Sequence, residues 1–356
     1  MNRFLTLLFT AAIILSCGEA SQNLKDELMP NARGDIGEII LVMDSALWEN
    51  QAGSAIRKTL RAPMQGLPQD EPQFNVNKVN PYGLNSVLKS ARNMVFAMTL
   101  SDRSRENRAI QGYFTNESLK KIQSDTSLYM TIKRDEFAKG QVILFLFAQN
   151  EKKLAEKILA NQSQIRNLFE TIERDQIKSR LFKSREVELE KKIAEDHPFT
   201  INVPFGWELA KNAKNFFWFR HLRADREQNV FVYYEPYTSA EVFDDVLAFR
   251  DKVTETNLRD GEKADLYITR QYRPDIIGAN IRQTSFKGSY AKEIRGLWKV
   301  SDNSGGGPYI SYTLVDESAQ MIYYIEGYVY SPGTKKKNMI REVDAILSTF
   351  ETKSIK

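Results

Sequence analysis

The sequence predicts a mixed α/β and α+β protein made of two layered domains, the second an antiparallel sheet with helices, joined by a long amphipathic helix. Three observations predict it. In the first half, short apolar runs alternate with helical stretches, as in layered α/β units. Residues 150–196 contain no proline or glycine and carry apolar side chains at helical spacing. After His197-Pro198 the texture changes to strands rich in aromatic residues, closed by an amphipathic helix.

Residues 1–16 read as a signal peptide: Arg3 is followed by a short apolar run from Phe4 to Leu15. Spanning a bilayer takes about 20 apolar residues, so this run is too short to stay as an anchor. Ile14-Leu15-Ser16-Cys17 looks like a bacterial lipobox. Cys17, the one cysteine of the chain, is then the site of lipidation and the first residue of the mature protein. The bland alternative is a buried core cysteine. Residues 17–34 are polar and turn-rich and read as a tether.

Residues 35–149 read as an N-terminal α/β domain. The run "IGEIILVMD" (36–44) is a buried strand, and 45–62 has helical spacing at Ala52, Ile56 and Leu60. Pro63, Gly66, Pro68 and Pro72 mark a loop. Strands follow in "QFNVNKV" (73–79), "NMVFAMTL" (93–100), "SLYMTIK" and "GQVILFLFA" (140–148), with a short helix in "GLNSVLKSAR". Residues 150–196 read as one long connecting helix, or two with a break near Asn161–Ser163. It either packs across the first sheet or pairs with a partner as a coiled coil.

Residues 197–356 read as a C-terminal α+β sandwich. "FTINVPFGW", "NFFWFRHL" and "NVFVYYEPY" are strands. Residues 239–256 form a helix with Val242, Val246, Phe249 and Val253 on one stripe. Five more strands follow near 265–273, 279–287, 291–300, 308–315 and 320–330. A last helix, 334–350, presents Met339, Ile340, Val343, Ile346, Leu347 and Phe350. The order strands, helix, meander, helix places helices on one face of the sheet.

The net charge is +4, spread along the chain, which gives no case for nucleic acid as partner. One cysteine and two histidines leave little for a metal site, and no cofactor motif is present. His197, at the domain junction, reads as a turn residue. His221 has no nucleophile context around it. Arg103, Arg105 and Arg108 read as a solvated face rather than an anion site. The glycines at 305–307 read as a hairpin loop, with a loop over a ligand as the alternative. Glu326, inside an otherwise apolar strand, demands a partner. Arg295 or Arg220 is the economical choice. With Trp298 and Trp218 nearby, these residues outline either a structural pair or a ligand or partner cleft.

The tracts "VILFLFAQN", "VPFGWELAKNAKNFFWFR", "RGLWKVSDNSGGGP" and "YYIEGYVYSPGTKKKNMIREVDAILSTF", after the lipobox, resemble a family of Bacteroidota lipoproteins that carries only a domain-of-unknown-function label. That resemblance implies no activity and no catalytic residues. The order of the second half is also similar to the PsbP/Mog1-like α/β/α sandwich. Two function classes remain. One is a non-catalytic binding or scaffolding lipoprotein of the cell envelope, held to the inner or outer membrane by its lipid and meeting an envelope protein partner. The other is an envelope enzyme with an acid–base or anion-binding cleft around Glu326, Arg295 and His221.

Overall fold

The computed structural model describes residues 29–259, 265–271 and 278–353. The chain divides into two compact units. One is built from the residues up to Ala62 together with Phe74–Phe169, the other from Pro63–Gln73 and Glu170–Lys356.

The first unit holds a five-stranded sheet in the order β2-β1-β3-β5-β4. Its strands are β1 (Glu38–Met43), β2 (Asn75–Val79), β3 (Asn93–Thr99), β4 (Met130–Arg134) and β5 (Val142–Ala148). The pairs β1–β2, β1–β3 and β3–β5 are parallel, and β4 runs antiparallel at the edge. β3 and β5 are buried at every position, which is why both read as continuous apolar runs. The expected helix 45–62 is broken into α1 (Ser45–Glu49) and α2 (Gln51–Leu60). Asp44 ends β1 and caps α1, its Oδ1 accepting from the Ala46 and Leu47 amides. Further helices are α3 (Ser86–Lys89), α4 (Arg105–Gln111), α5 (Asn116–Ser124) and α6 (Glu151–Ala160). Ile110 of α4 and Ile122 of α5 join Phe96, Phe145 and Phe147 in one apolar cluster.

The expected single helix over 150–196 is three: α6, α7 (Gln162–Leu181) and α8 (Val187–Asp196). The first break falls at Asn161, where the sequence placed one. The second, at residues 182–186, has no proline or glycine to announce it. There the backbone pairs with another loop: Glu186 N–H donates to the Val203 carbonyl, and Phe205 N–H to that of Ser184. The division between units falls inside α7, after Phe169.

The second unit is an eight-stranded antiparallel sheet. Its path is β10-β12-β13-β14-β9-β8-β7, with β11 beside β12. The strands are β7 (Glu208–Ala213), β8 (Phe216–Arg223), β9 (Arg226–Pro236), β10 (Ile268–Arg270), β11 (Asn280–Phe286), β12 (Ser289–Val300), β13 (Gly306–Asp316) and β14 (Met321–Tyr330). The entry "FTINVPFGW" supplies only the two-residue β6 (Phe199–Thr200), which pairs with β15 (Glu351–Thr352) off the main sheet. After β6, α9 (Val246–Asn257) and α10 (Lys337–Leu347) follow in this unit, to which α8 and the end of α7 also belong.

The two helices cover opposite faces, which corrects the one-face expectation. Met339, Ile340, Val343, Ile346 and Leu347 of α10 pack with Ile310, Tyr312, Tyr323 and Ile325. Val246, Phe249 and Val253 of α9 pack with Tyr309, Tyr324 and Tyr328. Successive strand residues point to opposite faces, so each strand feeds both clusters. Both faces are apolar, so both need a cover. Gly327 lets α10 come close: a Cβ there would stand 2.7 Å from the Val343 Cβ.

Candidate functional site

Glu326 is buried, as its strand context requires, but its partner is Arg250 on α9. Register explains why. Arg295 on β12 faces Ile310, whereas Glu326 on β14 faces Ser311. Ile310 and Ser311 are adjacent, so Arg295 and Glu326 point to opposite faces of the sheet. The same parity puts Trp298 and Arg220 on the Glu326 side, and Arg295 and His221 on the other.

On the α9 side, both side chains of the Arg250–Glu326 pair are 0% exposed. Arg250 Nε and Nη2 each donate to a Glu326 oxygen at 2.8 Å. The Tyr324 hydroxyl donates to the same carboxylate, and the Tyr309 ring lies 3.8 Å from the guanidinium. Burial opposes the charge on Arg250, but the contact with Glu326 outweighs it and keeps the guanidinium protonated. A charge pair closed off in this way is costly to break, because either partner alone would be a stranded buried charge.

On the α10 side, Arg295 Nε donates to Glu293 Oε1 at 2.8 Å, and Arg282 makes two bonds to the same carboxylate. Burial pushes the Glu293 carboxyl up, but Arg295 and Arg282 outweigh it and hold it at about 2. Asp344 of α10 pairs with Arg174 at 3.0 Å and accepts from the Tyr312 hydroxyl at 2.7 Å. Residues 63–73 pass over this network. A Cβ on Gly66 (φ +79°) would lie 2.9 Å from Arg295.

Arg220 is one-third exposed and pairs with Glu208 at 3.0 Å, not with Glu326. His221 stacks on Trp207, and burial followed by the charges of Arg223 and Arg226 lowers its pKa. His197 sits at a bend just after α8, as a turn residue would. It is buried, with Nε2 2.7 Å from Asn212 Oδ1 and Nδ1 3.1 Å from the Tyr234 hydroxyl. Arg105 and Arg108 lie on α4, capped by Ser104. Cys17 and most of the expected tether lie outside the described residues.

Trp298 does line an opening. A cavity of about 410 Å³ on the Glu326 side is walled by Trp218, Tyr267, Trp298, Tyr328, Tyr330 and Gly305. The tryptophans are fixed by hydrogen bonds: Trp298 Nε1 donates to the Val329 carbonyl, and Trp218 Nε1 to Asn229 Oδ1. Gly305 is the first glycine of the run at 305–307. Gly306 and Gly307 lie within β13, where a Cβ on Gly307 would stand 2.0 Å from the Val329 oxygen. The run therefore serves strand packing and also reaches the rim of a pocket. Such a pocket offers flat apolar walls, with Glu227, Arg259 and Ser304 as its polar lining. Among the described residues, no three His, Cys, Asp or Glu side chains are grouped to hold a metal ion. No described helix is long and apolar enough to cross a membrane.

The sequence missed Arg250 and Asp344. Each interrupts an apolar stripe: Arg250 between Val246 and Val253, Asp344 between Ile340 and Leu347. A charge on the buried stripe of an amphipathic helix was the available signal.

Residues 32–182 match the family model of a domain of unknown function, DUF8532, and residues 186–349 that of a second, DUF4837. The chain carries two domains of unknown function. Comparison with curated proteins gives no match. Solved structures similar to the chain include the Saccharomyces cerevisiae Ran-binding protein Mog1p. It is 10% identical with a TM-score of 0.28, and the match covers 44% of this chain and 90% of that one. LpqN of Mycobacterium tuberculosis, described as involved in cell envelope biogenesis, is 12% identical with a TM-score of 0.29. That match covers 44% of this chain and 83% of LpqN. The lipid transfer domain of human StarD13 is 12% identical with a TM-score of 0.21, covering 46% and 95%.

Proposed function

We propose that this chain is a lipid-anchored protein of the bacterial cell envelope, in a Bacteroidota-type lipoprotein family, and that its C-terminal unit is a non-catalytic binding module. The observation that carries the module is the aromatic pocket between Trp218 and Trp298. Its walls suit a ligand with a flat or apolar face, which aromatic rings hold by stacking and area burial. An enzyme centred on Glu326, Arg295 and His221 has less support, because the first two belong to separate buried networks on opposite faces. The anchor rests on Ile14-Leu15-Ser16-Cys17. Acyl chains at Cys17 contribute about 0.8 kcal/mol per buried CH₂, and two or more hold a protein stably at a membrane.

Fractionation of cells expressing the chain tests the anchor. The wild type is expected in the membrane pellet and Cys17→Ala in the soluble fraction. A Cys17→Ala variant that matures at residue 17 and stays in the pellet removes the anchor. For the pocket, the neutral apolar dye Nile red should bind the folded chain and lose most of its bound fluorescence in Trp218→Ala and Tyr267→Ala. Unchanged dye binding in both variants, with unchanged melting, removes the pocket as the binding site.

A further inference from the structure

We propose that the C-terminal unit also holds an anion site on its α10 side, built to take a phosphate-type oxyanion. It is separate from the aromatic pocket and does not depend on the reading above. A cavity of about 330 Å³ is lined by Arg180, Lys183, His221, Arg223, Arg226 and Glu342. Four permanent cations thus face one carboxylate. That carboxylate is already engaged: Glu342 accepts from Arg180 at 2.6 Å and from Gln228 at 3.1 Å. The other three cations have no carboxylate at ion-pair distance among the described residues.

Two local features sharpen the imbalance. Arg223 and Arg226 are direct partners in the register of the β8–β9 hairpin. Like charges directly opposite one another weaken a strand pair unless something neutralises them. Arg226 Nε is also buried and has no hydrogen-bond acceptor. Guanidinium forks match the geometry of phosphate oxygens, and lysine adds a point charge. His221 is kept uncharged by burial and by Arg223 and Arg226, so it can serve as a neutral hydrogen-bonding group. At the rim, Phe205 is 72% exposed and Trp207 stacks on His221. The rim therefore suits an apolar or ring-bearing portion attached to the anion.

The phosphate could be a free small molecule or the headgroup of an anionic lipid, and two arms of one experiment separate these. In the first, inorganic phosphate is titrated into the full chain by calorimetry. Saturable binding is expected, weakened by rising salt. Arg226→Gln and Lys183→Gln should each weaken it about tenfold, the scale of one lost charge-assisted bond. Lys183 is exposed, so its variant stands if Arg226→Gln unfolds. Glu342→Gln removes the lining carboxylate and should tighten binding several-fold, which a purely structural role for these residues would not produce. In the second arm, vesicles of phosphatidylglycerol are sedimented with the chain, with phosphatidylcholine vesicles as control. Phosphatidylglycerol-dependent sedimentation that Arg226→Gln abolishes identifies a headgroup. Binding in neither arm, or binding that ignores all three substitutions, overturns the site.

Discussion

Arg250 and Glu326 form a charge pair with no route to water, and each is an obligation on the other. Removing one partner strands the second charge and typically costs about 3–5 kcal/mol. Glu326→Gln and Arg250→Met are each expected to lower the unfolding free energy from urea titration by that amount. The double variant Arg250→Met/Glu326→Gln should recover a large part, because no unpaired ion remains. Additive losses would show that the two side chains do not act as a pair. Glu293 gives a pH signature. Its folded pKa, about 2, lies below the ordinary 4.5, so its contribution is fully present above pH 4.5. It is lost as pH falls toward 2, and amounts to about 3 kcal/mol. Glu293→Gln lacks that titration, so its stability should change less between pH 5 and 2 than that of the wild type. A wild-type curve of the same slope would dismiss the depressed carboxyl. At this scale the sequence showed that Glu326 needs a partner. It could not show which, because the choice depends on which helix covers which face.

Helices in this chain end and begin on contacts remote in sequence. α10 starts at a carboxylate supplied by the loop 63–73: Glu71 accepts the Lys336 amide at 2.7 Å and the Lys337 amide at 3.2 Å. A carboxylate there meets orphan N–H groups and the positive end of the helix dipole. Glu71→Ala is expected to cost about 1–2 kcal/mol and Glu71→Gln less, read from chemical denaturation. Equal stability of all three proteins would leave the cap without energetic weight. The apolar stripes of α9 and α10 and most strand positions were legible from periodicity alone. The Phe182–Glu186 break was not, because backbone pairing with residues 203–205 creates it, and no local propensity signals that pairing.

The second unit is assembled from two separated stretches of chain. Residues 63–73 belong to it, and Met64 and Leu67 are buried in its α10-side cluster together with Ile193 of α8. Burying each such side chain contributes about 1.5–3 kcal/mol. A fragment of residues 197–356 loses all three and the Glu71 cap. That sum is comparable to the whole stability of an ordinary domain, about 5–15 kcal/mol. The fragment is therefore expected to melt without a cooperative transition, by calorimetry. A sharp melt near that of the full chain would show that the earlier segments are dispensable.

By itself the sequence determined the α/β layering of the first half, the antiparallel sheet of the second, and the apolar faces of the closing helices. These follow from period and composition, which act over a few residues. Only the tertiary structure decided that Glu326 meets Arg250, that Glu71 caps a helix 265 residues onward, and that three cations with no carboxylate at ion-pair distance among the described residues line one cavity. Each of those depends on strand register and on the face a helix covers. Both are set by the simultaneous burial of many side chains, and a one-residue shift in register would turn every side chain to the other face.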